Sequence, residues 1–316
     1  MPHSIFSTRF HLICLGLVLL GWTRPDHVAR AAASLPPDLA NVSYGAHPRN
    51  VLDLWLAKSD KPTPLLVYIH GGGWYQGDKS AVTEDVVRLN IDLVRLMLEH
   101  GVSVASINYR YATMAPLPAP VHDAARAIQF LRSKAREWNL DRGRLAAMGT
   151  SAGGCTALWL AYHRDLADPG NRDPVARESS ALGAVLAWNP QTSIDPKVVV
   201  GWVGDQVMNH PMIWRAVGAA DRAEVEARYS DWSDLYREFS PINHVSRGAP
   251  PVMLVNRTGP LPAADHNAAI HHVMFCYKLK EKTDSVGATC LVRLLDQPDP
   301  AMPMPYDFLL QQLTGR

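Results

Sequence analysis

The order of apolar segments along this 316-residue chain predicts an α/β fold with a mostly parallel central sheet flanked by helices. Short strand-like runs alternate with longer helix-like runs, which is typical of parallel sheets. The hydrophobic fraction of 47% allows a large core, and the segment order favours one domain over residues 34–316. An early run in which every second residue is leucine, at 52, 54 and 56, predicts a half-exposed antiparallel strand at the start of the sheet.

The later strands are predicted as apolar runs at 65–69, 102–107, 145–148, 184–187, 251–255 and 290–295. Helices are predicted at 83–100, 121–138, 155–161 and from about Tyr306. Roughly 60 residues separate two of the strands, too many for a loop, so we expect a helical cap insertion at about 191–240. Its aromatic side chains either line a ligand pocket or hold the insertion on the body: Trp202, Trp214, Tyr229, Trp232, Tyr236 and Phe239.

The first 33 residues have the pattern of a secretory signal peptide. Arg9 and His11 precede an apolar run of eleven residues at 12–22, which is short for a membrane span. Small residues at 29–33 supply a cleavage site. We therefore expect a secreted or periplasmic protein with no stable membrane anchor after cleavage.

The net charge and the spacing of histidines and cysteines argue against nucleic acid, anionic membranes and metal ions as partners. The formal net charge of +1 gives no broad attraction for nucleic acid or for anionic membranes. The 13 histidines form no H-x-H or H-E-x-x-H motif, so neither a metal nor a cofactor is predicted. The cysteines outside the signal peptide are Cys155, Cys276 and Cys290, which leaves a 276–290 bridge open beside buried free thiols.

The run Gly149-Thr150-Ser151-Ala152-Gly153 matches the pattern G-x-S-x-G between a predicted strand and an apolar helix. A serine on such a sharp turn leaves no room for side chains two residues away on either side, so glycine is needed at both flanks. Ser151 is therefore a candidate nucleophile.

A second motif follows the strand at 65–69, which runs into His70-Gly71-Gly72-Gly73-Trp74. Acyl transfer from an ester passes through an oxyanion that needs preorganised donors, and glycine N–H groups are unobstructed. Gly71 and Gly72 offer two such donors, and Ala152 offers a third at a helix N-terminus. The alternatives are a tight turn or a phosphate-binding loop, but Asp78 interrupts the Gly-Lys-Ser run that such a loop requires.

The pair HGGGW and GTSAGG, with Asn108-Tyr109-Arg110 between them, resembles the α/β-hydrolase esterases of the hormone-sensitive-lipase and feruloyl-esterase-like branches. The resemblance covers about residues 40–316 and includes the blocks at 77–79, 121–124 and 240–242. It implies an α/β-hydrolase fold and the cleavage of small carboxylic esters through an acyl-serine intermediate, without a cofactor.

The resemblance also implies a relay in the chain order serine, acid, histidine. The acid is expected just after the strand at 252–255, where Pro260 stands, and the histidine after the last strand, where residues 296–316 contain none.

Two explanations are open for this departure. One is relocation, in which Asp265 and either His271 or His272 reach Ser151. In a purely structural interpretation, Asp265 instead caps a helix that begins near Asn267, and the two histidines are ordinary first-turn residues. The other explanation is a hydrolase scaffold that has lost the relay and acts as a catalytically impaired binding protein.

Overall fold

The computed structural model describes residues 35–83 and 92–315, so the signal peptide predicted at 1–33 lies outside the described residues. The strands are β1 (Leu39–Ser43), β2 (Val51–Trp55), β3 (Thr63–Ile69), β4 (Ser103–Ile107), β5 (Leu140–Thr150), β6 (Ala184–Trp188), β7 (Val252–Asn256) and β8 (Cys290–Leu294). The helices are α1 (Leu93–Glu99), α2 (Ala119–Ser133), α3 (Ala152–Tyr162), α4 (Pro196–Val203), α5 (Pro211–Arg215), α6 (Arg222–Glu238), α7 (His266–Ile270), α8 (Met274–Val286) and α9 (Pro305–Thr314), with 3₁₀ turns at Asp205–Asn209 and Pro241–His244. In the described ranges no helix has both the length and the apolar composition needed to cross a bilayer.

The strands form one eight-stranded sheet in the order β1-β2-β4-β3-β5-β6-β7-β8. The pairs β1/β2 and β2/β4 are antiparallel and the other pairs are parallel. The predicted fold class is therefore confirmed. The early strand is β2, which is buried rather than half-exposed, because β1 occupies the edge position beside it. The helix predicted at 83–100 is not continuous: Asp92 is extended and caps α1, so the helix that ends at Glu99 begins at Leu93.

Both faces of the sheet are buried. Along β3, the side chains of Leu65, Val67 and Ile69 pack with α2 and α3, whereas Leu66 and Tyr68 pack with α1 and α9 on the opposite face. This two-sided burial explains why the parallel strands appear in the sequence as continuous apolar runs. Because β3, β5, β6 and β7 are paired in parallel, their carboxyl ends lie at one edge of the sheet, where α/β proteins bind ligands.

Helices α4, α5 and α6 lie between β6 and β7, in the region assigned to the insertion. Two of its aromatic side chains pack against the body. Trp202 meets Phe275 with ring centroids 5.7 Å apart, and Phe239 stacks on Trp159 of α3 at 5.3 Å. These contacts attach the insertion to the helices that flank the sheet.

The cysteines Cys155, Cys276 and Cys290 are all free and buried. Burial raises the pKa of the Cys276 thiol to about 12 and likewise that of Cys290. These thiols are thus protonated packing groups at neutral pH, and the open 276–290 bridge is not formed.

Candidate active site

Ser151 lies on a sharp turn between β5 and α3, at the carboxyl edge of the sheet. Its backbone has φ 53° and ψ −122°, a conformation that residues with a side chain rarely adopt. The turn is held by the Ser151 N–H, which donates to the carbonyl of Trp188 in β6 at 2.8 Å. The strained turn lifts the half-buried hydroxyl above the sheet.

Steric crowding explains both glycines that flank this serine. A Cβ on Gly149 would lie 2.4 Å from the backbone of Gly153, and a Cβ on Gly153 would lie 2.0 Å from the carbonyl oxygen of Ile69. Real Cβ atoms do not come this close to backbone, so a side chain at either position would push α3 off the sheet.

An imidazole contacts the Ser151 hydroxyl. Nε2 of His271 lies 2.8 Å from Oγ of Ser151, and Nδ1 of the same ring lies 2.9 Å from the carbonyl oxygen of Asn267. Because a carbonyl oxygen only accepts, Nδ1 of the neutral ring carries the proton, and Nε2 accepts the hydrogen of the hydroxyl. This arrangement is the one that a general base requires.

His271 follows α7 directly, in the connection between β7 and α8. It therefore precedes the last strand, β8, in the chain. Asn256, the buried last residue of β7, donates from Nδ2 to the carbonyl of His271 at 3.1 Å. Since only β6 separates β7 from β5, the ends of these two strands are about 10 Å apart. A residue that follows β7 can therefore return to Ser151.

The structure places Asp265 and His272 outside this hydrogen bond. The exposed carboxylate of Asp265 accepts from the backbone of α7 at 2.8 Å, as the N-cap of that helix. His272 is buried, and its Nε2 lies 3.1 Å from the carbonyl oxygen of Gly259. Of the two neighbouring histidines, the structure thus brings His271 to Ser151 and turns His272 toward the loop after β7.

Hydrogen bonds to carbonyl groups fix the glycine loop after β3. The Tyr109 hydroxyl donates to the carbonyls of His70 and Gly71 at 2.8 and 3.2 Å, and Nδ1 of His70 lies 2.7 Å from the Gly71 oxygen. In a trans peptide the N–H points away from the preceding carbonyl, so the N–H groups of Gly71 and Gly72 face away from Tyr109. Within residues 35–83 and 92–315, neither N–H group has an acceptor.

The glycine loop closes directly on the serine turn. A Cβ on Gly71 would lie 2.7 Å from the Thr150 carbonyl oxygen and 3.5 Å from Cβ of Ser151. Ala152, on the other side of the serine, is the first residue of α3, where backbone N–H groups lack intrahelical acceptors. The three predicted oxyanion donors therefore belong to two segments that meet at Ser151.

His70 is neutral in this arrangement. Burial lowers its pKa from 6.5 to about 4, and its ring stacks on Tyr109 with centroids 4.2 Å apart. The Arg49 guanidinium lies 3.5 Å from Nε2 of His70 and can only donate to a lone pair there. Nδ1 therefore carries the proton that is donated to Gly71. Arg49 and Tyr109 were not assigned to the site from sequence. Arg49 lies in no motif, and the block Asn108-Tyr109-Arg110 supported only the family resemblance.

A cleft of about 910 Å³ opens at Ser151. Most of its described lining comes from the glycine loop, the serine turn, the loop after β7 and α7, and the insertion contributes one lining residue, His210. None of the six aromatic residues of the insertion is among the described lining residues, which favours their packing role.

His210 is a cleft residue that the sequence analysis did not identify. Its Nδ1 accepts from the Met212 N–H at 3.2 Å, as the N-cap of α5, so Nε2 carries the hydrogen. Its ring centroid lies 6.1 Å from that of His271, and burial with the neighbouring imidazoles lowers the His210 pKa to about 4. The cleft thus contains a neutral N–H donor beside His271. In sequence, the histidine before Pro211 indicates only a helix start.

Comparisons with known proteins place these features in a family. The BD-FAE family model matches residues 52–259, about two thirds of the chain. The esterase LipC of Mycobacterium tuberculosis is 29% identical over 218 residues, which are 68% of this chain and 49% of LipC. The esterase LipI of the same organism is 32% identical over 42% of this chain and 36% of LipI. The matches thus span about half, or less, of these relatives.

Solved esterases share the fold. A truncated carbohydrate esterase from gut microbiota aligns with a TM-score of 0.65 and 19% identity, over 87% of this chain and 96% of that one. An acetyl ester-xyloside bifunctional hydrolase from Caldicellulosiruptor lactoaceticus aligns with a TM-score of 0.61 and 21% identity, over 83% and 87%. With most of its length matched by the family model, the chain belongs to the BD-FAE family of carboxylesterase-like hydrolases and has the α/β-hydrolase fold.

Proposed function

We propose that this protein is a serine esterase that cleaves small carboxylic esters through an acyl-serine intermediate. The observation that carries the proposal is the 2.8 Å contact between Oγ of Ser151 and Nε2 of His271, with Nδ1 of that ring held by the Asn267 carbonyl. A serine hydroxyl is a weak nucleophile unless an adjacent base removes its proton.

In the proposed reaction, Oγ of Ser151 bonds to the ester carbonyl carbon while its proton passes to Nε2 of His271. The Asn267 carbonyl stabilises the imidazolium that results, because Nδ1–H points at it. The carbonyl electron pair moves onto the oxygen, which accepts hydrogen bonds from the N–H groups of Gly71, Gly72 and Ala152.

The tetrahedral intermediate then collapses. The carbon–oxygen bond to the alcohol breaks, and Nε2 of His271 returns its proton to the departing oxygen. Water, deprotonated by the same nitrogen, hydrolyses the acyl-serine and regenerates the hydroxyl of Ser151. No step requires a cofactor.

The geometry favours turnover over a binding protein that has lost its relay. That alternative is motivated by the missing histidine after the last strand, and the imidazole of His271 supplies an equivalent base from another part of the chain. The names of LipC and LipI as esterases support the same conclusion.

The test is hydrolysis of p-nitrophenyl acetate together with labelling by a fluorophosphonate, which reacts with activated serines. Ser151→Ala should abolish labelling and lower kcat by about 10⁶-fold, the scale seen when a catalytic serine is removed from subtilisin. Ser285→Ala, an exposed serine at the end of α8, is the matched control and should retain both activities. Equal labelling of native protein and Ser151→Ala would contradict the proposal.

We also propose that the enzyme acts after export, on the basis of the predicted signal peptide at 1–33. N-terminal sequencing of protein from the secreted or periplasmic fraction should begin within or just after residues 30–34. Protein that remains in the cell with residues 1–33 attached would contradict export.

A further inference from the structure

A second cluster of ligating side chains lies at the far end of α3, away from Ser151. His163 follows α3, Glu238 is the last residue of α6, and His244 lies in the 3₁₀ turn after it. Their ligating atoms all lie within 4.8 Å of one another. Since α3 rises 1.5 Å per residue, this cluster lies roughly 16 Å from the serine turn.

The hydrogen bonds of His163 leave a lone pair facing a carboxylate. Nδ1 of His163 donates to the carbonyl oxygen of Arg164 at 2.8 Å, while Nε2 lies 3.1 Å from Oε1 of Glu238. Two acceptor atoms at this distance repel each other unless a proton or a cation lies between them.

The separations suit a zinc ion. Zinc binds imidazole nitrogen and carboxylate oxygen at about 2.0–2.2 Å in a tetrahedron, which places neighbouring ligand atoms about 3.4 Å apart. The Glu238 oxygen lies 3.1 Å from Nε2 of His163 and 3.8 Å from Nε2 of His244. Shifts of a few tenths of an ångström would bring each of these two pairs to the zinc separation. The third pair, the ligand atoms of the two histidines, lies within 4.8 Å and must close further on the ion.

The surroundings orient the ligands and leave room for water. The Arg164 carbonyl fixes the tautomer of His163, as outer-shell acceptors do for metal-bound histidines, and the ring stacks on Trp159 with centroids 4.1 Å apart. A surface cleft of about 800 Å³ borders all three ligands and is open to solvent. Nε2 of His244 lies 2.5 Å from the Glu238 carbonyl oxygen, a gap too narrow for an ion, so the imidazole must turn away from that carbonyl for this nitrogen to bind zinc.

We propose that this protein binds one Zn²⁺ through Nε2 of His163, a carboxylate oxygen of Glu238 and Nε2 of His244, with water as the fourth ligand. The ion ties the end of the insertion helix α6 to the end of α3, the helix that begins directly after Ser151. The site is independent of the proposed esterase reaction. The site is not visible in the sequence, because ligands at 163, 238 and 244 fit no common zinc-binding motif.

Calorimetric titration of the chelator-treated mature protein with ZnCl₂ tests this site. The native protein should bind one more equivalent than Glu238→Gln or His163→Ala, or bind that equivalent at least about tenfold more tightly, because loss of a ligand costs no less than loss of an outer-shell partner. His100→Ala is the matched control, since His100 is an exposed histidine whose Nδ1 also meets a backbone carbonyl. It should bind zinc as the native protein does.

Two further readouts make the result decisive. Co²⁺ in place of zinc should give intense visible absorption, typical of tetrahedral sites, in the native protein and not in Glu238→Gln. The Glu238→Gln substitution keeps the backbone carbonyl that accepts from Trp159 Nε1 at 2.8 Å, so this variant should fold and hydrolyse p-nitrophenyl acetate even if His163→Ala does not. Equal zinc stoichiometry and affinity in native protein and Glu238→Gln, or no zinc binding by either, would overturn the proposal and leave an ion pair.

Discussion

The two halves of the candidate active site are built in different ways. The nucleophile half uses short consecutive segments, 70–72 and 149–153, packed so closely that only glycine fits at several positions. The histidine half uses His271, which is 120 residues from Ser151 and is positioned by single hydrogen bonds to Asn256 and Asn267. Crowded backbone atoms require glycine at fixed positions, so the nucleophile half is visible in the sequence as a motif. A side chain placed by single hydrogen bonds after a strand requires almost no fixed residue pattern.

Among substitutions that leave Ser151 and His271 in place, the largest effect is expected from Gly71→Ala, in the crowded half. The new Cβ would lie 2.7 Å from the Thr150 carbonyl oxygen, so the loop must move and its N–H groups with it. Loss of an oxyanion donor lowers kcat by roughly 10²- to 10³-fold, and we expect this for hydrolysis of p-nitrophenyl acetate. Gly170→Ala is the control, because its Cβ would meet nothing closer than 3.6 Å. Unchanged kcat in Gly71→Ala would show that the loop does not hold the oxyanion.

A smaller effect, also in the nucleophile half, is the pH dependence that His70 gives to stability. The unfolded chain takes up a proton on this residue below about pH 6.5, whereas the folded protein does so only near its lowered pKa of about 4. The free energy of unfolding therefore falls as the pH drops through this range, by about 3 kcal/mol in total for this residue. Above pH 6.5 His70 contributes no pH dependence.

Urea unfolding at several pH values between 4 and 7 measures this effect. His70→Gln, which stays neutral and keeps a donor for the Gly71 carbonyl, should flatten the slope by about 1.4 kcal/mol per pH unit. Identical slopes for native protein and His70→Gln would mean that His70 is charged in the folded protein.

The smallest effect is expected in the histidine half, at Asp265. Because this carboxylate caps α7, Asp265→Ala should lower the urea midpoint of unfolding slightly, whereas Asp265→Asn keeps a capping side chain and should leave the midpoint nearly unchanged. The kcat of Asp265→Asn should stay within about tenfold of native. A triad carboxylate would instead lose about 10⁴-fold on the same change, and that loss would contradict the capping role.

The parallel sheet was predictable from the sequence, since strands buried on both faces appear as apolar runs such as 65–69. The burial of β2 was not predictable from its alternating leucines. That burial depends on β1, whose residues at 39–43 are exposed or half-buried and carry little apolar signal. The packing of Trp202 and Phe239 against the body was one of two open interpretations. The sequence of an insertion does not tell whether an aromatic side chain points into a pocket or toward the body.

The residues of the site also differed in how far the sequence predicts them. Ser151 and the glycines could be named because backbone crowding demands specific residue types at fixed spacing. The choice between His271 and His272 could not be made, since adjacent residues at a helix end point in different directions and only the folded chain selects one. Asp265 was a candidate for both relay and cap, and the structure shows the cap.

The most direct test of the account is the matched pair His271→Ala and His272→Ala, with kcat for p-nitrophenyl acetate measured after each variant is shown to be folded. If His271 is the base, its loss lowers kcat by at least about 10⁴-fold, while His272→Ala stays within about tenfold of the native enzyme. Equal losses in the two variants, or a larger loss in His272→Ala, would contradict the assignment of the relay to His271.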